Sequence, residues 1–186
     1  MTDKHLPKVK IIAAIAANGV IGKDGEIPWR FRADLRHFRN MTLGNVIIMG
    51  RKTAASLRAP LTGRFNIVVS HHCNHGFKMP LNLTGEAIVM VNFDQALDHA
   101  RKAAAIRGCD VFVIGGAQIY RLAMERADEM LLTLLDSEHD GDAFFPPWSP
   151  CDWERVTSYR LADDGGMSGL FVHLRRRDGS MRGERD

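Results

Sequence analysis

Short apolar runs alternate along the chain with stretches whose apolar residues recur at helical spacing. The runs are Val9 to Ala16, Val46 to Met49, Ile67 to Val69, Ala87 to Val91 and Val111 to Ile114. Runs this short, with almost no polar interruption, predict strands buried on both faces. Between them, Ala33 to Met41 carries Leu35 and Phe38, and Phe93 to Ile106 sets Phe93, Ala96, Leu97, Ala100 and Ala104 on one stripe, so both predict helices. Asn92, with Gln95 three residues on, predicts a capped start for the second. Two further helices are expected, one opening at Arg51 and one over Ile119 to Arg126. Beyond Arg126 the alternation stops, and Met130 to Leu135, Trp153 to Tyr159 and Leu170 to Leu174 follow with no helical stretch between them. Alternating strands and helices imply right-handed crossovers and parallel pairing, whereas consecutive strands pair antiparallel. The expected fold is therefore one α/β domain over residues 1–177: an eight-stranded, mostly parallel mixed sheet with an antiparallel C-terminal edge and four flanking helices.

Composition narrows the function classes. A length of 186 residues suits one domain, and 45% hydrophobic with 25% charged residues and no biased tract is ordinary globular composition. Much of the net charge of +3 comes from Arg175, Arg176, Arg177, Arg182 and Arg185. We read residues 178–186 as a solvated, disordered basic tail rather than a nucleic-acid surface. Cys73, Cys109 and Cys151 are scattered and odd in number, which argues against a disulfide framework and for a reducing compartment. No stretch has the length of a membrane span and the N-terminus lacks a signal-peptide core, so a cytoplasmic address with no membrane partner is expected. His71, His72, Cys73 and His75 lie close together, but their spacing matches no zinc pattern, and no metal is expected.

Three places could carry chemistry. Ile21 to Arg30, a glycine-bearing loop with Pro28 and Trp29, is a candidate lid leading into Asp34. Asp34 reads either as a helix-start carboxylate favoured by the macrodipole or as an acid in an apolar cleft, able to pair with an amidine-like ring edge. Gly50-Arg51-Lys52-Thr53 and Gly115-Gly116-Ala117-Gln118 each follow a buried strand and open a helix. Singly each is turn chemistry; together they suit the phosphates of a dinucleotide. Arg64, before the third strand, is either a surface arginine or a fork for a carboxylate.

In order and spacing these pieces resemble the dihydrofolate reductases of the bacterial chromosomal type, from Val9 to about Arg176. The resemblance is carried by Ile21-Gly22 with Pro28-Trp29, Ala33-Asp34-Leu35, Ile48 to Thr53, Pro60-Leu61 with Gly63-Arg64, Ile114-Gly115-Gly116, and Gly141-Asp142 with Phe145-Pro146. It implies NADPH-dependent reduction of dihydrofolate to tetrahydrofolate by a monomer, in support of one-carbon metabolism, with dihydrofolate and antifolates as ligands. It implies that Asp34, Trp29 and Thr133 form the catalytic centre, with Ile12, Ala14, Leu35, Phe38, Leu57, Leu61 and Ile114 as apolar contacts of the substrate. Arg64 would take the substrate's glutamate carboxylate. The cofactor would lie against Ala14, Ile21, Gly22, Gly50, Arg51, Lys52, Thr53, Ser70, His71, Ile114, Gly115, Gly116, Ala117, Gln118, Ile119 and Tyr120. Asp142 would steady the lid, and the Gly115–Gly116 peptide bond would be cis. Ala54, Ile27 and Arg58-Ala59 depart from the family pattern, and His71 to Gly85 has no counterpart in it. A related reductase of riboflavin synthesis, or a folate- or nucleotide-binding protein without turnover, are the competing readings. The Trp29 to Asp34 segment with Arg64 favours a pterin glutamate substrate over the former.

Overall fold

The computed structural model describes residues 6–57, 59–71, 87–163 and 166–177. In chain order the elements are β1 (Val9–Ile15), β2 (Val20–Gly22), α1 (Arg32–Thr42), β3 (Val46–Gly50), α2 (Arg51–Ser56), β4 (Phe65–Val69), β5 (Ala87–Met90), α3 (Phe93–Arg107), β6 (Val111–Val113), α4 (Ala117–Met124), β7 (Glu129–Leu135), β8 (Ala143–Phe144), β9 (Trp153–Ala162) and β10 (Ser168–Arg176). Eight strands form one sheet in the order β5-β4-β3-β6-β1-β7-β10-β9. Pairing is parallel from β5 across to β7 and antiparallel from β7 through β10 to β9. This is the expected α/β architecture with its four helices.

Alternation along β1 divides the core between the two faces of the sheet. Ile11, Ala13 and Ile15 pack with the α3 stripe and with Ile119, Tyr120 and Ala123 of α4. Ile12 points the other way, into a cluster with Met49, Phe112, Ile114 and Phe171 that meets Phe38 and Met41 of α1. The α3 start is capped as expected, Asn92 accepting from the Gln95 N–H at 2.9 Å. Its end is closed by Gly108 in the left-handed conformation at φ 65°.

The differences from expectation have local causes. Helix α4 begins at Ala117 and ends at Met124, two residues ahead of the expected span at each end. Its start is the turn that leaves β6, and the Arg126 and Ala127 N–H groups both close onto the Ala123 carbonyl. Strands β9 and β10 are longer than their apolar runs, because β9 lies at the sheet edge and is exposed from Glu154 to Arg160. Its length is set by the hydrogen-bond ladder to β10 rather than by burial. Strands β2 and β8 form a separate two-stranded ladder that no apolar pattern announces. His72, Cys73, His75 and the tail 178–186 lie outside the described residues. Among the described residues no helix is long and apolar enough to cross a membrane.

Candidate active site

Parallel strands deliver their carboxyl ends to one edge of the sheet, and there the candidate residues converge. After β1 the chain loops out and returns as α1, which brings Asp34 in its first turn over β7. The buried hydroxyl of Thr133, the register partner of Ala14, hydrogen-bonds the Asp34 carboxylate. Burial pushes the Asp34 pKa above the ordinary carboxylate value; the Thr133 hydrogen bond and the nearby His37 pull it only part of the way back. No lysine or arginine contributes to that balance. The carboxylate is thus withdrawn from water without a cationic partner, able to take a positively charged or donor-rich ring edge.

The floor beside it is made of glycine. The Gly115–Gly116 peptide bond is cis, as the resemblance implied. Gly50 N–H donates to the Gly115 carbonyl at 2.7 Å, and Ile114 N–H to that of Ile48 at 2.9 Å, so the turns after β3 and β6 abut. A Cβ at Gly50 would sit 3.0 Å from the Ile119 side chain, and one at Gly115, whose φ is +112°, would sit 3.1 Å from the Tyr120 ring. The Tyr120 hydroxyl donates to the Ile12 carbonyl at 2.8 Å; burial first, then the Asp34 charge, push its pKa far upward, so it stays a neutral strut. Helices α2 and α4 both start without a side-chain cap, leaving first-turn N–H groups for an external acceptor. Arg51, Lys52 and Gln118 are exposed beside these starts, with Thr53 and Ala117 partly buried. Ser70 is buried at the end of β4, where its N–H reaches the Met90 carbonyl, and His71 follows it exposed. These residues fit a dinucleotide: backbone donors at two helix starts, no Cβ in the way, and cations at the rim.

The apolar wall is formed by Ile12, Ile114, Phe38, Leu57 and Leu61, which share one cluster. Leu35 stands apart from it, 52% exposed. Arg64 is not a surface arginine: it is 7% exposed, and its guanidinium is built in. Its Nε donates to Thr42 Oγ1 at 2.8 Å, and its two terminal nitrogens donate to the carbonyls of Thr62 (2.8 Å) and Arg39 (3.3 Å). Burial, then the Arg39 charge, lower its pKa, but a guanidinium keeps its proton. Three of its five N–H donors face the protein, and two are left for a ligand. Asn66, 1% exposed, pins the turn that carries Arg64, exchanging bonds with both backbone groups of Leu61 and donating to the Arg64 carbonyl. Sequence reasoning passed over Asn66; its signal was an amide inside the apolar run from Phe65 to Val69.

The candidate lid is stitched to the loop after β7. Val20 and Gly22 pair with Phe144 and Ala143, and the Phe145 N–H donates to the Gly19 carbonyl. Asp142 meets the lid through its backbone, its N–H donating to the Gly22 carbonyl at 3.1 Å, while its side chain is exposed. The side-chain fastenings are ones the sequence did not announce. Lys23 Nζ lies 2.6 Å from Asp140, Asn18 donates to the His139 carbonyl at 2.8 Å, and the His139 ring sits 4.9 Å from that of Trp29. A Cβ at Gly141 would fall 2.3 Å from Val20 Cγ1 and 2.5 Å from the Gly22 carbonyl oxygen, so the seam closes only because that position has none. Trp29 and Ala14 pack together with Phe31, Ala33 and Leu135 at the lid base. Among the described residues no group of three His, Cys, Asp or Glu could hold a metal ion.

A parallel α/β sheet with two glycine-floored helix starts, beside an apolar cluster and a carboxylate bonded to Thr133 without a lysine or arginine partner, defines a nucleotide-dependent class of enzyme. The chain belongs to the dihydrofolate reductase family, whose family model matches residues 8–176. It is 39% identical over 171 residues to the type 3 dihydrofolate reductase of Salmonella typhimurium, spanning 90% of this chain and 98% of that one. It is 35% identical over 156 residues to the dihydrofolate reductase of Haemophilus influenzae, spanning 83% and 89%. In fold it is similar to a dihydrofolate reductase from Enterococcus faecalis complexed with NADP(H) and the compound RAB-propyl. That match has a TM-score of 0.79 at 24% identity and covers 92% of this chain and 97% of that one.

Proposed function

We propose that this enzyme reduces 7,8-dihydrofolate to 5,6,7,8-tetrahydrofolate, with hydride arriving at C6 and a proton at N5. The observation that carries the reading is Asp34: a carboxylate withdrawn from water, tied to Thr133 and free of any lysine or arginine partner, on the helix that brings Phe38 to the apolar cluster of Ile12 and Ile114. NADPH, when bound, supplies the hydride. Gly50 to Thr53 and Gly115 to Tyr120 would hold it, with Ser70 and His71 near its far phosphate and Ala14, Ile21 and Gly22 along the nicotinamide. Ile12, Phe38, Leu57, Leu61 and Ile114 wall the substrate, and Trp29 and the lid exclude bulk water. Asp34 orients the ring and favours the N5-protonated form electrostatically, while solvent delivers the proton. The two outward N–H donors of Arg64 take the glutamate carboxylate.

The direct test is loss of NADPH absorbance on adding dihydrofolate; a folded protein without turnover would refute the activity. Arg64→Ala is expected to weaken the use of dihydrofolate about tenfold to hundredfold, as loss of a charged hydrogen-bonded contact implies. A dihydropterin lacking the glutamate should be handled alike by variant and parent. Equal damage with both substrates would make Arg64 purely structural. NADPH should be preferred over NADH, and Arg51→Ala should erode the preference.

A further inference from the structure

Among the described residues, one side-chain nitrogen is buried with no hydrogen-bond partner: Nε2 of His37. Such atoms are rare in native proteins. His37 follows Asp34 by three positions in α1, so the two share a helix face. That face lies over a cross-strand row, because Thr133 of β7 pairs with Phe171 of β10, which pairs with Tyr159 of β9. Asp34 meets the first of the row through its hydrogen bond with Thr133. His37 meets the other two: its ring lies edge-on to Phe171 with centroids 4.3 Å apart, and its Nδ1 is 3.3 Å from the Tyr159 hydroxyl. Tyr159 is 44% exposed, so that hydroxyl links the half-buried imidazole to solvent. The groups facing His37 are Asp34 on its own helix, Tyr159 from β9 and the uncharged Phe171 from β10; Asp34 is the charge that acts on it.

We propose that His37 is a positioning residue acting through Asp34: imidazole and carboxylate form one coupled proton-binding pair, in exchange with solvent by way of the Tyr159 hydroxyl. This rests on the reading of Asp34 as the pterin-binding acid. Burial lowers the proton affinity of His37 and the Asp34 charge restores part of it; reciprocally, His37 opposes the upward push of burial on Asp34. A proton on His37 competes with positive charge on the substrate ring for the same carboxylate, and a neutral His37 leaves that charge to the ring. His37 thereby sets how strongly the site favours a protonated ring.

The test follows both groups by NMR, the Asp34 carboxyl by carbon-13 and the His37 ring by nitrogen-15, in the ligand-free enzyme. His37→Phe should move the Asp34 midpoint to higher pH, and Asp34→Asn should move the His37 midpoint to lower pH. The pH–rate profile for dihydrofolate reduction by His37→Phe should shift upward in step with Asp34. Should His37→Phe fail to fold, His37→Gln carries the same expectation. Midpoints that stay put in folded variants would overturn the pair. Full turnover by Asp34→Asn with the reciprocal shifts intact would instead refute the pterin reading and leave the pair standing.

Discussion

Asp34 near the carboxyl edge of the sheet and Glu129 at its amino edge are both withdrawn from water, and the chain surrounds them in opposite ways. Burial pushes the pKa of each upward. At Glu129, 2% exposed, the push is overcome: Lys8 Nζ lies at 2.6 Å, His173 Nε2 at 3.0 Å and Lys10 Nζ at 3.4 Å, and the pKa falls below the ordinary carboxylate value. Lys10 in turn reaches Asp110 at 2.8 Å, so the amino edge holds a closed set of charges. At Asp34 the push is left standing. Both acids meet β7, one as its first residue and one through Thr133, four positions on. One strand thus joins a finished electrostatic arrangement to an unfinished one, and the unfinished end is where a substrate has something to add.

The comparison breaks most visibly in activity. Asp34→Asn is expected to cut dihydrofolate reduction at pH 7 about 10²- to 10⁴-fold, with part of the loss returning at low pH, where substrate arrives protonated. The same variant should melt no lower than the parent. A carboxyl whose folded pKa is raised binds more protons folded than unfolded, so its contribution to stability falls as pH rises between its unfolded and folded values. Removing the charge removes that penalty, and a clearly lowered melting temperature at pH 7 would contradict it. Glu129→Gln should do the reverse, costing about 2–3 kcal/mol of stability by removing the buried charge on which Lys8, Lys10 and His173 converge, with kcat and KM of the folded enzyme unchanged. For Glu129 the sign is opposite. Its contribution is present above the unfolded carboxylate pKa and is lost as pH falls through the depressed folded value, so acid unfolding should be less steep in the variant. Denaturant melts across the acid range decide this.

Smaller effects sharpen the same contrast, since the working edge also carries the moving parts. Gly141→Ala should lower kcat/KM by about tenfold, because a methyl group there pushes the lid seam apart and lets water in. Unchanged kinetics would mean that the seam does not gate the reaction. Lys23→Gln breaks an ion pair between two exposed groups and should leave the melting temperature unmoved at any salt concentration. A drop confined to low salt would reveal that the pair holds the lid after all.

The sheet was legible because burial on both faces writes itself as short apolar runs, as in Val46 to Met49 and Val111 to Ile114. The β2–β8 ladder was not, since three residues facing two carry no periodicity. In the site, Gly50 and Gly115 could be read as turns that must approach something closely. Arg64 could be a surface arginine or a fork for a carboxylate on sequence alone; the burial that excludes the first depends on carbonyls from Arg39 and Thr62 that only the fold brings together. His37 and Tyr159 meet across 122 positions, and neither carries a local signal of the other.

The bare starts of α2 and α4 bear on how this protein behaves in a tube. Amide donors that no side chain satisfies are met by water or by an anion, and a ligand that binds only the folded state adds RT ln(1 + [L]/Kd) to its stability, about 2.7 kcal/mol at a hundredfold excess over Kd. Its melting temperature is therefore a property of the solution as much as of the chain. Measured in phosphate, in chloride and with a nucleotide present, the same preparation should yield three different values, and a ligand screen by thermal shift must be run in the buffer that competes least.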